Sequence, residues 1–291
     1  MRTLTALMMT LLLTGCAAAS MIQVNNDAVP AAELPAETRK EEVIRYMVTM
    51  DEWSDEAQNE EGILLAQYVF DLPILTPVRE DGTAVTEARS ETEEQVLAMA
   101  AAFNEKFEKW AAAEEFNDLV KSAGEDLACR QAENIDWYGG YTLELDCTVY
   151  QTDRLISVSG SYYSYTGGAH PNTWQLGWNF DLEEGAFFDP ELLCDGTELK
   201  EAVVEEIIRQ AGSPREDGHV PIEMYWEDYE EIIANWTSYA VTFDESGMNV
   251  VFSPYELAPY AAGTQEFRVS YDWMKPYLSD HGWELLGLDE N

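Results

Sequence analysis

The sequence predicts an α+β fold in which antiparallel sheets and helices occupy separate stretches of the chain. The stretch 141–150 alternates polar and apolar residues, which is typical of a strand. From Ser90 to about Ala123, apolar side chains recur every three or four residues, which is typical of one amphipathic helix. Further candidate strands cluster instead of alternating with helices, so antiparallel pairing is favoured over βαβ units. We expect one long helix in an N-terminal module and two or three shorter helices in a C-terminal module.

The N-terminal module is expected over residues 42–165. Residues 42–53 and 63–71 are rich in β-formers around a polar turn and predict a hairpin, which Pro73 and Pro77 should end. Ser90 and Glu93 form an S-x-x-E capping box at the start of the helix, and Gly124 is placed at its end. Three strands should follow, over residues 126–135, 141–151 and 155–163.

The C-terminal module is expected over residues 166–280, with 281–291 as a tail. The predicted elements are a strand at 174–181, helices at 197–211 and 227–235, a hairpin of 236–243 with 248–252, a strand at 265–271 and a helix at 272–278. Apolar residues make up 46% of the chain, enough to fill a core.

The N-terminus resembles a bacterial lipoprotein signal. Arg2 precedes an apolar run that is too short to span a membrane, and Leu13-Thr14-Gly15-Cys16 reads as a lipobox. We expect residues 1–15 to be a signal peptide, Cys16 to be lipidated, and 16–41, with Pro30 and Pro35, to be a flexible tether. The protein would then be extracytoplasmic and anchored to the cell membrane. The alternative is an ordinary signal peptide with an incidental cysteine.

The formal net charge is −40, from 56 acidic and 16 basic residues. Nucleic acid and anionic membrane surfaces are poor partners for such a chain, because contact with phosphates needs clustered Lys and Arg. A basic protein, a cationic peptide or a metal cation would be attracted. The alternative interpretation is that the acidity serves solubility alone.

The cysteines predict one disulfide. Cys129 and Cys147 flank Trp137-Tyr138-Gly139-Gly140 symmetrically, so a hairpin there would bring them face to face, with Cys194 left free. No cysteine spacing suggests zinc, and the chain has only three histidines. We therefore expect no metal site and no cofactor.

One segment stands out as a candidate binding site. It contains three tyrosines, two glycines that permit positive φ, a histidine and an asparagine, which are Tyr162, Tyr163, Tyr165, Gly167, Gly168, His170 and Asn172. His170 has no recognisable nucleophile partner or neighbouring metal ligand, so no catalytic residue is expected. A second candidate is the proline- and tyrosine-rich loop at 252–263. Either segment could instead be only a rigid connection.

The strings YYSYTGGAHPNTW, NFDLEEG and VVFSPYELAPYAAGTQEFRVSY resemble the extracytoplasmic domain of unknown function 3298. Residues 42–165 resemble the partner module that precedes it, domain of unknown function 4163. This pair occurs in lysozyme-sensing anti-sigma factors and in the N-terminal part of some peptidoglycan deacetylases. We expect neither a cytoplasmic sigma-binding region nor a deacetylase domain in this chain.

The resemblance and the charge together predict a non-enzymatic, lipid-anchored binding protein of the cell envelope. Its expected partner is a basic protein such as lysozyme. The alternatives are binding of peptidoglycan or another saccharide, with exposed Trp and Tyr stacking on sugars, and an accessory role in cell-wall modification. An envelope hydrolase would need two carboxylates at a suitable separation, and the acidic residues are too numerous for a pair to be chosen.

Overall fold

A computed structural model describes residues 44–111, 113–216, 218–235 and 239–288. The predicted signal peptide (1–15), the lipidated Cys16 and the tether (16–41) lie outside the described residues. The described residues belong to one compact unit.

Six strands form the larger sheet, in the order β1-β2-β3-β4-β5-β6. Their bounds are β1 Ile44–Gln58, β2 Leu64–Arg79, β3 Tyr141–Gln151, β4 Leu155–Tyr165, β5 Asn172–Asp181 and β6 Ala186–Phe188. All neighbouring strands are antiparallel except β2 and β3, which are parallel. The sheet continues past residue 165, so β5 and β6 extend the sheet that β1 to β4 begin.

Three strands form the smaller antiparallel sheet, in the order β7-β8-β9. They are β7 Ala240–Asp244, β8 Gly247–Phe252 and β9 Gln265–Ser270. The helices are α1 Glu91–Glu108, α2 Ala113–Glu133, α3 Glu198–Ala211, α4 Tyr229–Ala234, α5 Tyr271–Met274 and α6 Asp280–Leu285. The predicted α+β class is confirmed. The expected tail, 281–291, starts inside α6, and Leu285 at the end of this helix is buried in the core together with the following Leu286.

The first hairpin is longer than predicted because its prolines do not interrupt β2. Pro73 lies opposite Met50, and Pro77 lies opposite Tyr46. Between the prolines, the N–H of Leu75 donates to Asn104 Oδ1 at 2.7 Å, and Asn104 Nδ2 donates back to the Leu75 carbonyl at 3.0 Å. Backbone groups of alternate residues point the same way, so the missing N–H groups of both prolines would also point away from β1. A proline costs no ladder hydrogen bond in that position.

The single helix predicted to end at Gly124 is two helices, and α2 continues to Glu133. The predicted strand at 126–135 is therefore wrong. Gly124 lies inside α2, where a Cβ would stand 4.0 Å from Leu65 Cδ1 of β2. Ala123 and Leu127, four residues apart, are buried against Leu65. Packing against the sheet thus outweighs the low helix propensity of glycine.

The predicted Cys129–Cys147 disulfide is not formed, and Cys129, Cys147 and Cys194 are all free. The expectation assumed a hairpin, but Cys129 is exposed on helix α2, whereas Cys147 is buried on β3. Position 147 pairs across the sheet with Gly160 of β4.

The two sheets are joined by a buried polar network at Gly177. A Cβ at Gly177 would lie 2.6 Å from the Val241 carbonyl oxygen, so glycine lets the backbone of β7 approach β5. Asn179 Nδ2 donates to the same carbonyl at 2.9 Å, and the Ser157 hydroxyl donates to Asn179 Oδ1 at 2.8 Å. The N–H of Phe243 donates to Ser157 Oγ at 2.7 Å. Side chains of the larger sheet therefore satisfy two backbone groups of the smaller one.

Candidate functional site

The TGGAHPN segment is the tip of the β4–β5 hairpin. Ser164 pairs with Asn172, so residues 165–171 form the connection. Gly167 and Gly168 have φ of +90° and +100°, a conformation that glycine adopts without steric cost. The expected backbone role of the two glycines follows from this turn.

His170 is held against the second predicted segment. Its ring stacks on that of Tyr260, with centroids 3.9 Å apart and planes inclined by 16°. Its Nε2 lies 3.2 Å from the Tyr255 hydroxyl, and its Nδ1 lies 2.8 Å from the Pro171 carbonyl oxygen. The structure therefore brings the two candidate segments into one aromatic cluster, although 85 residues separate His170 from Tyr255. We call His170, Tyr255 and Tyr260 the His170 cluster.

The other side of the β4–β5 tip packs against Tyr138, which is not among the predicted site residues. A Cβ at Gly167 would lie 2.7 Å from the Tyr138 hydroxyl, and the ring of Tyr165 packs edge-on against Tyr138 at 5.3 Å. Tyr138 in turn donates to Asp126 Oδ2 at 3.1 Å and lies 4.6 Å below the guanidinium of Arg130. Burial and the bond to Asp126 raise the pKa of Tyr138, so its hydroxyl stays protonated and acts as a donor.

The remaining predicted residues do not share one surface. Tyr162 is partly buried against the core, with ring centroids 5.4 Å from Trp110 and 5.7 Å from Trp174. Tyr163 follows it on β4, so its side chain points to the opposite face of the sheet, and Asn172 is exposed at the start of β5. The three predicted tyrosines therefore do not form a continuous flat surface.

A polar cleft of about 590 Å³ lies between the two sheets. Its walls combine hydroxyl, amide and carboxylate groups with three aromatic residues, from Thr148, Tyr150, Ser157, Ser159, Gln175, Thr242, Phe243, Asp244, Glu245, Asn249, Glu266, Phe267 and Arg268. These residues come from six strands and the β7–β8 turn, and they form no linear motif. The one local signal, Asp244-Glu245-Ser246-Gly247, predicted only a hairpin turn.

Asp244 and Arg268 form the charged centre of this cleft. Asp244 Oδ2 accepts hydrogen bonds from Asn249 Nδ2 and from Arg268 Nη2, both at 2.9 Å. Partial burial opposes ionisation, but the bonds from Asn249 and Ser246 and the charge of Arg268 outweigh it, so the pKa of Asp244 lies below its usual value. Glu245 and Glu266 are exposed at the cleft and leave it acidic.

Among the described residues, no three His, Cys, Asp or Glu side chains are grouped as they would be to hold a metal ion. No helix of the described part of the chain is both long and apolar enough to cross a bilayer.

Two family profiles match the chain. Residues 190–272 match the family described as "Protein of unknown function (DUF3298)", and residues 90–173 match the one described as "Deacetylase PdaC". Both parts of the expected resemblance are thereby confirmed. No curated protein matches the chain.

One solved structure of the first family shares the fold, and a second gives a weaker match. A DUF3298 family member from Bacteroides fragilis NCTC 9343 has a TM-score of 0.54 at 15% identity, over 81% of this chain and 94% of that one. A DUF3298 family protein from Pseudomonas aeruginosa PAO1 has a TM-score of 0.49 at 14% identity, over 80% and 94% of the two chains. At this identity, the first likeness supports the fold alone.

Proposed function

This chain carries a DUF3298 module behind a PdaC-like module, and from that premise we propose that it is an exported, lipid-anchored binding protein of the bacterial cell envelope. It recognises a basic protein such as lysozyme and is not an enzyme. The modules belong to an envelope-related domain family. The lipobox ending at Cys16 supports the anchor.

The excess of acidic side chains carries the proposal for a basic partner. Even if every Lys and Arg were paired with an acid, the net charge would remain −40. Several of the ion pairs in the described residues are exposed on both sides, such as Lys109 with Glu105 and Arg154 with Glu183, so they contribute little stability. The electrostatic field of this net charge raises the rate of association with a cationic protein, and the effect weakens as salt is added.

Two constellations could supply contacts beyond this general attraction. The His170 cluster presents Tyr255, which is 51% exposed, at the edge of the protein. The cleft adds Glu245 and Glu266. Aromatic rings beside carboxylates suit the lysine and arginine side chains of a basic protein.

The test compares lysozyme with a folded control protein of equal positive charge. Binding of each to the chain without residues 1–15 and with Cys16→Ser is measured by calorimetry at low and at moderate salt. We expect lysozyme to bind more tightly than the control at both salt concentrations, because specific contacts add to the charge. Equal affinities, lost in parallel with salt, would refute recognition of lysozyme and leave only charge attraction.

The inter-sheet cleft supports a second candidate function, binding of peptidoglycan glycan. Hydroxyl, amide and carboxylate groups lie beside Tyr150 and Phe267 there, which suits a ligand rich in hydroxyls. Co-sedimentation with purified, protein-free peptidoglycan separates the two functions. Retention that falls in Thr242→Val but not in Thr166→Val would favour the glycan, since Thr242 lines the cleft and Thr166 lies in the β4–β5 turn.

A further inference from the structure

Strand β1 lies at the end of the larger sheet, and its outer edge pairs with no strand among the described residues. The register with β2 determines which backbone groups point outward. Leu75 directs its N–H and carbonyl to Asn104, away from β1, so Leu75 and the opposing Val48 form a non-hydrogen-bonded pair. The backbone groups of Val48 therefore point to the outer edge. By the same alternation, so do those of Met50, Glu52 and Ser54.

This free edge has defined ends. The Tyr46 carbonyl, which also points outward, accepts from Gln151 Nε2 at 3.0 Å. At the other end, the Glu56 N–H donates to Asp55 Oδ1 at 2.8 Å. Between them, the backbone from Val48 to Ser54 offers alternating donors and acceptors over about 20 Å, given about 3.3 Å per residue. We call this stretch the β1 edge.

The side chains along the β1 edge combine apolar surface with negative charge. Met47, Met50 and Trp53 are 47%, 40% and 37% exposed. The C-terminal half of β1 carries four acidic residues, all of them exposed, namely Asp51, Glu52, Asp55 and Glu56. No Lys or Arg occurs between Arg45 and Arg79, so the hairpin itself supplies no positive charge.

These charges decide which strand the edge can accept. Pairing with the β1 edge of a second copy would bring acidic side chains together across the new ladder, and like charges directly opposite are destabilising. A strand carrying Lys or Arg would satisfy the same backbone groups and place positive charge beside Asp51, Glu52 and Asp55. Exposed Met50 and Trp53 would pack against its aliphatic stems.

We infer that the β1 edge binds an extended segment of a cationic polypeptide, which adds to the larger sheet as a further strand. The inference rests on the proposed function, because it names the mode by which a basic partner is held. Backbone hydrogen bonds would supply affinity, and the acidic side chains would select the charge of the added segment.

The test uses a peptide of alternating valine and lysine, with a second peptide of equal charge whose valines are replaced by proline. Amide hydrogen exchange of the full chain is followed as each peptide is added. We expect the first peptide alone to slow exchange at Val48, Met50, Glu52 and Ser54, because the second lacks the valine N–H groups and the proline rings prevent it from pairing as a strand. Protection confined to other parts of the chain, or equal binding of both peptides, would overturn the inference.

Ser54→Pro removes one outward N–H and leaves the β1–β2 ladder intact, whereas Ser54→Ala keeps the N–H. We expect affinity for the valine–lysine peptide to fall about tenfold in Ser54→Pro and to be unchanged in Ser54→Ala, as for one lost backbone hydrogen bond. Equal affinities in the two variants would overturn the inference. Circular dichroism and the unfolding midpoint show whether Ser54→Pro is folded. Should it not be, the exchange pattern of the wild type decides.

Two double variants with the same change of net charge test whether the acidic side chains of β1 are required for binding. Glu52→Gln with Glu56→Gln removes two of the four negative charges on β1, and Glu60→Gln with Glu61→Gln makes the same change of net charge in the hairpin turn. We expect the first pair to weaken the peptide several-fold more than the second. Lysozyme binding is measured on the same variants. If lysozyme binds the wild type and Ser54→Pro equally, the proposed function stands and the β1 edge is not its site. If neither peptide nor lysozyme binds the wild type, both proposals fail.

Discussion

The imidazole of His170 lies flat on the ring of Tyr260, with the two centroids 3.9 Å apart. This contact joins the tip of the larger sheet to the loop between β8 and β9. Within the described residues, it turns two separate sequence motifs into one structural unit, and Tyr255 closes it from the side.

The first prediction concerns this stacking. His170→Ala removes the ring contact and the hydrogen bond to Tyr255, and we expect the free energy of unfolding to fall by about 1–2 kcal/mol. Urea denaturation measures the change. Thr166→Ala alters an exposed residue of the same turn and should change the stability by less than about 0.5 kcal/mol. Equal effects of the two changes would show that the stack contributes nothing.

A second prediction separates backbone strain from steric conflict at the two adjacent glycines. Both have positive φ, but a Cβ at Gly168 has open space around it, whereas one at Gly167 meets the Tyr138 hydroxyl. We expect Gly168→Ala to cost about 1 kcal/mol and Gly167→Ala about 1–2 kcal/mol more. The Gly167→Ala penalty should shrink when combined with Tyr138→Phe, which removes the conflicting oxygen. Thermal unfolding of the four variants tests this, and an unchanged penalty would place the cause in the backbone.

The joint between the sheets gives a third prediction. Ser157→Ala leaves the buried N–H of Phe243 and the Oδ1 of Asn179 without their partner, while changing little volume. We expect a loss of about 2 kcal/mol in the free energy of unfolding. Ser164→Ala, on the same strand and half-buried, should be nearly neutral. A neutral Ser157→Ala would mean that water replaces the hydroxyl.

The free thiols provide a fourth prediction. Burial, reinforced by Asp146 and Asp71, raises the pKa of Cys147 to about 12, whereas Cys129 is exposed. At pH 8 very little of the Cys147 thiol is ionised, so alkylation with iodoacetamide should be much slower there than at Cys129. Mass spectrometry of the native chain with Cys16→Ser follows both sites. Recovery of a peptide pair linked through Cys129 and Cys147 would contradict this prediction and show that the disulfide forms.

A fifth prediction concerns acid stability at the start of α1. Glu93 is 2% exposed and pairs with Arg79, and the N–H of Arg89 donates to its carboxylate. The bond from Arg89 and the charge of Arg79 hold the pKa of Glu93 below its usual value despite desolvation. Its contribution to stability is therefore complete above the ordinary pKa of about 4.3 and is lost as the pH falls through the lower folded value.

Glu93→Gln removes this contribution. The variant should be less stable than the wild type at pH 6, and the difference in urea midpoint should narrow as the pH approaches 3. Glu91→Gln, an exposed change in the same first turn, should show a much smaller difference. A gap between wild type and Glu93→Gln that stays constant with pH would assign the effect to packing.

Local patterns were sufficient where neighbouring residues decide the structure. The alternation over 141–151 predicts β3 with its observed bounds, and the Ser90–Glu93 capping box places the start of α1 correctly. Local patterns gave wrong predictions where an element that is distant in the sequence packs against the segment. Helix α2 continues past Gly124 because this residue packs against Leu65. Strand β2 continues past Pro73 because Asn104, rather than β1, accepts the hydrogen bond from the backbone N–H of Leu75 on the edge where the prolines lack one.

The candidate site divides in the same way. Residue types alone predicted His170 and the two glycines as site residues, because a histidine and two adjacent glycines, which permit positive φ, stand close together in the chain. They could not select Tyr138 or the cleft at Asp244, whose members meet only when strands from both sheets are assembled.

By itself, the sequence determined the α+β class, the large acidic excess and the two motif segments, because composition and short-range periodicity are properties of neighbours along the chain. Only the tertiary structure decided that His170 stacks on Tyr260, that Cys129 and Cys147 stay apart and that one edge of β1 pairs with no strand of the described residues. Those outcomes depend on the register of strands and the packing of helices, which bring together residues that are far apart in the sequence.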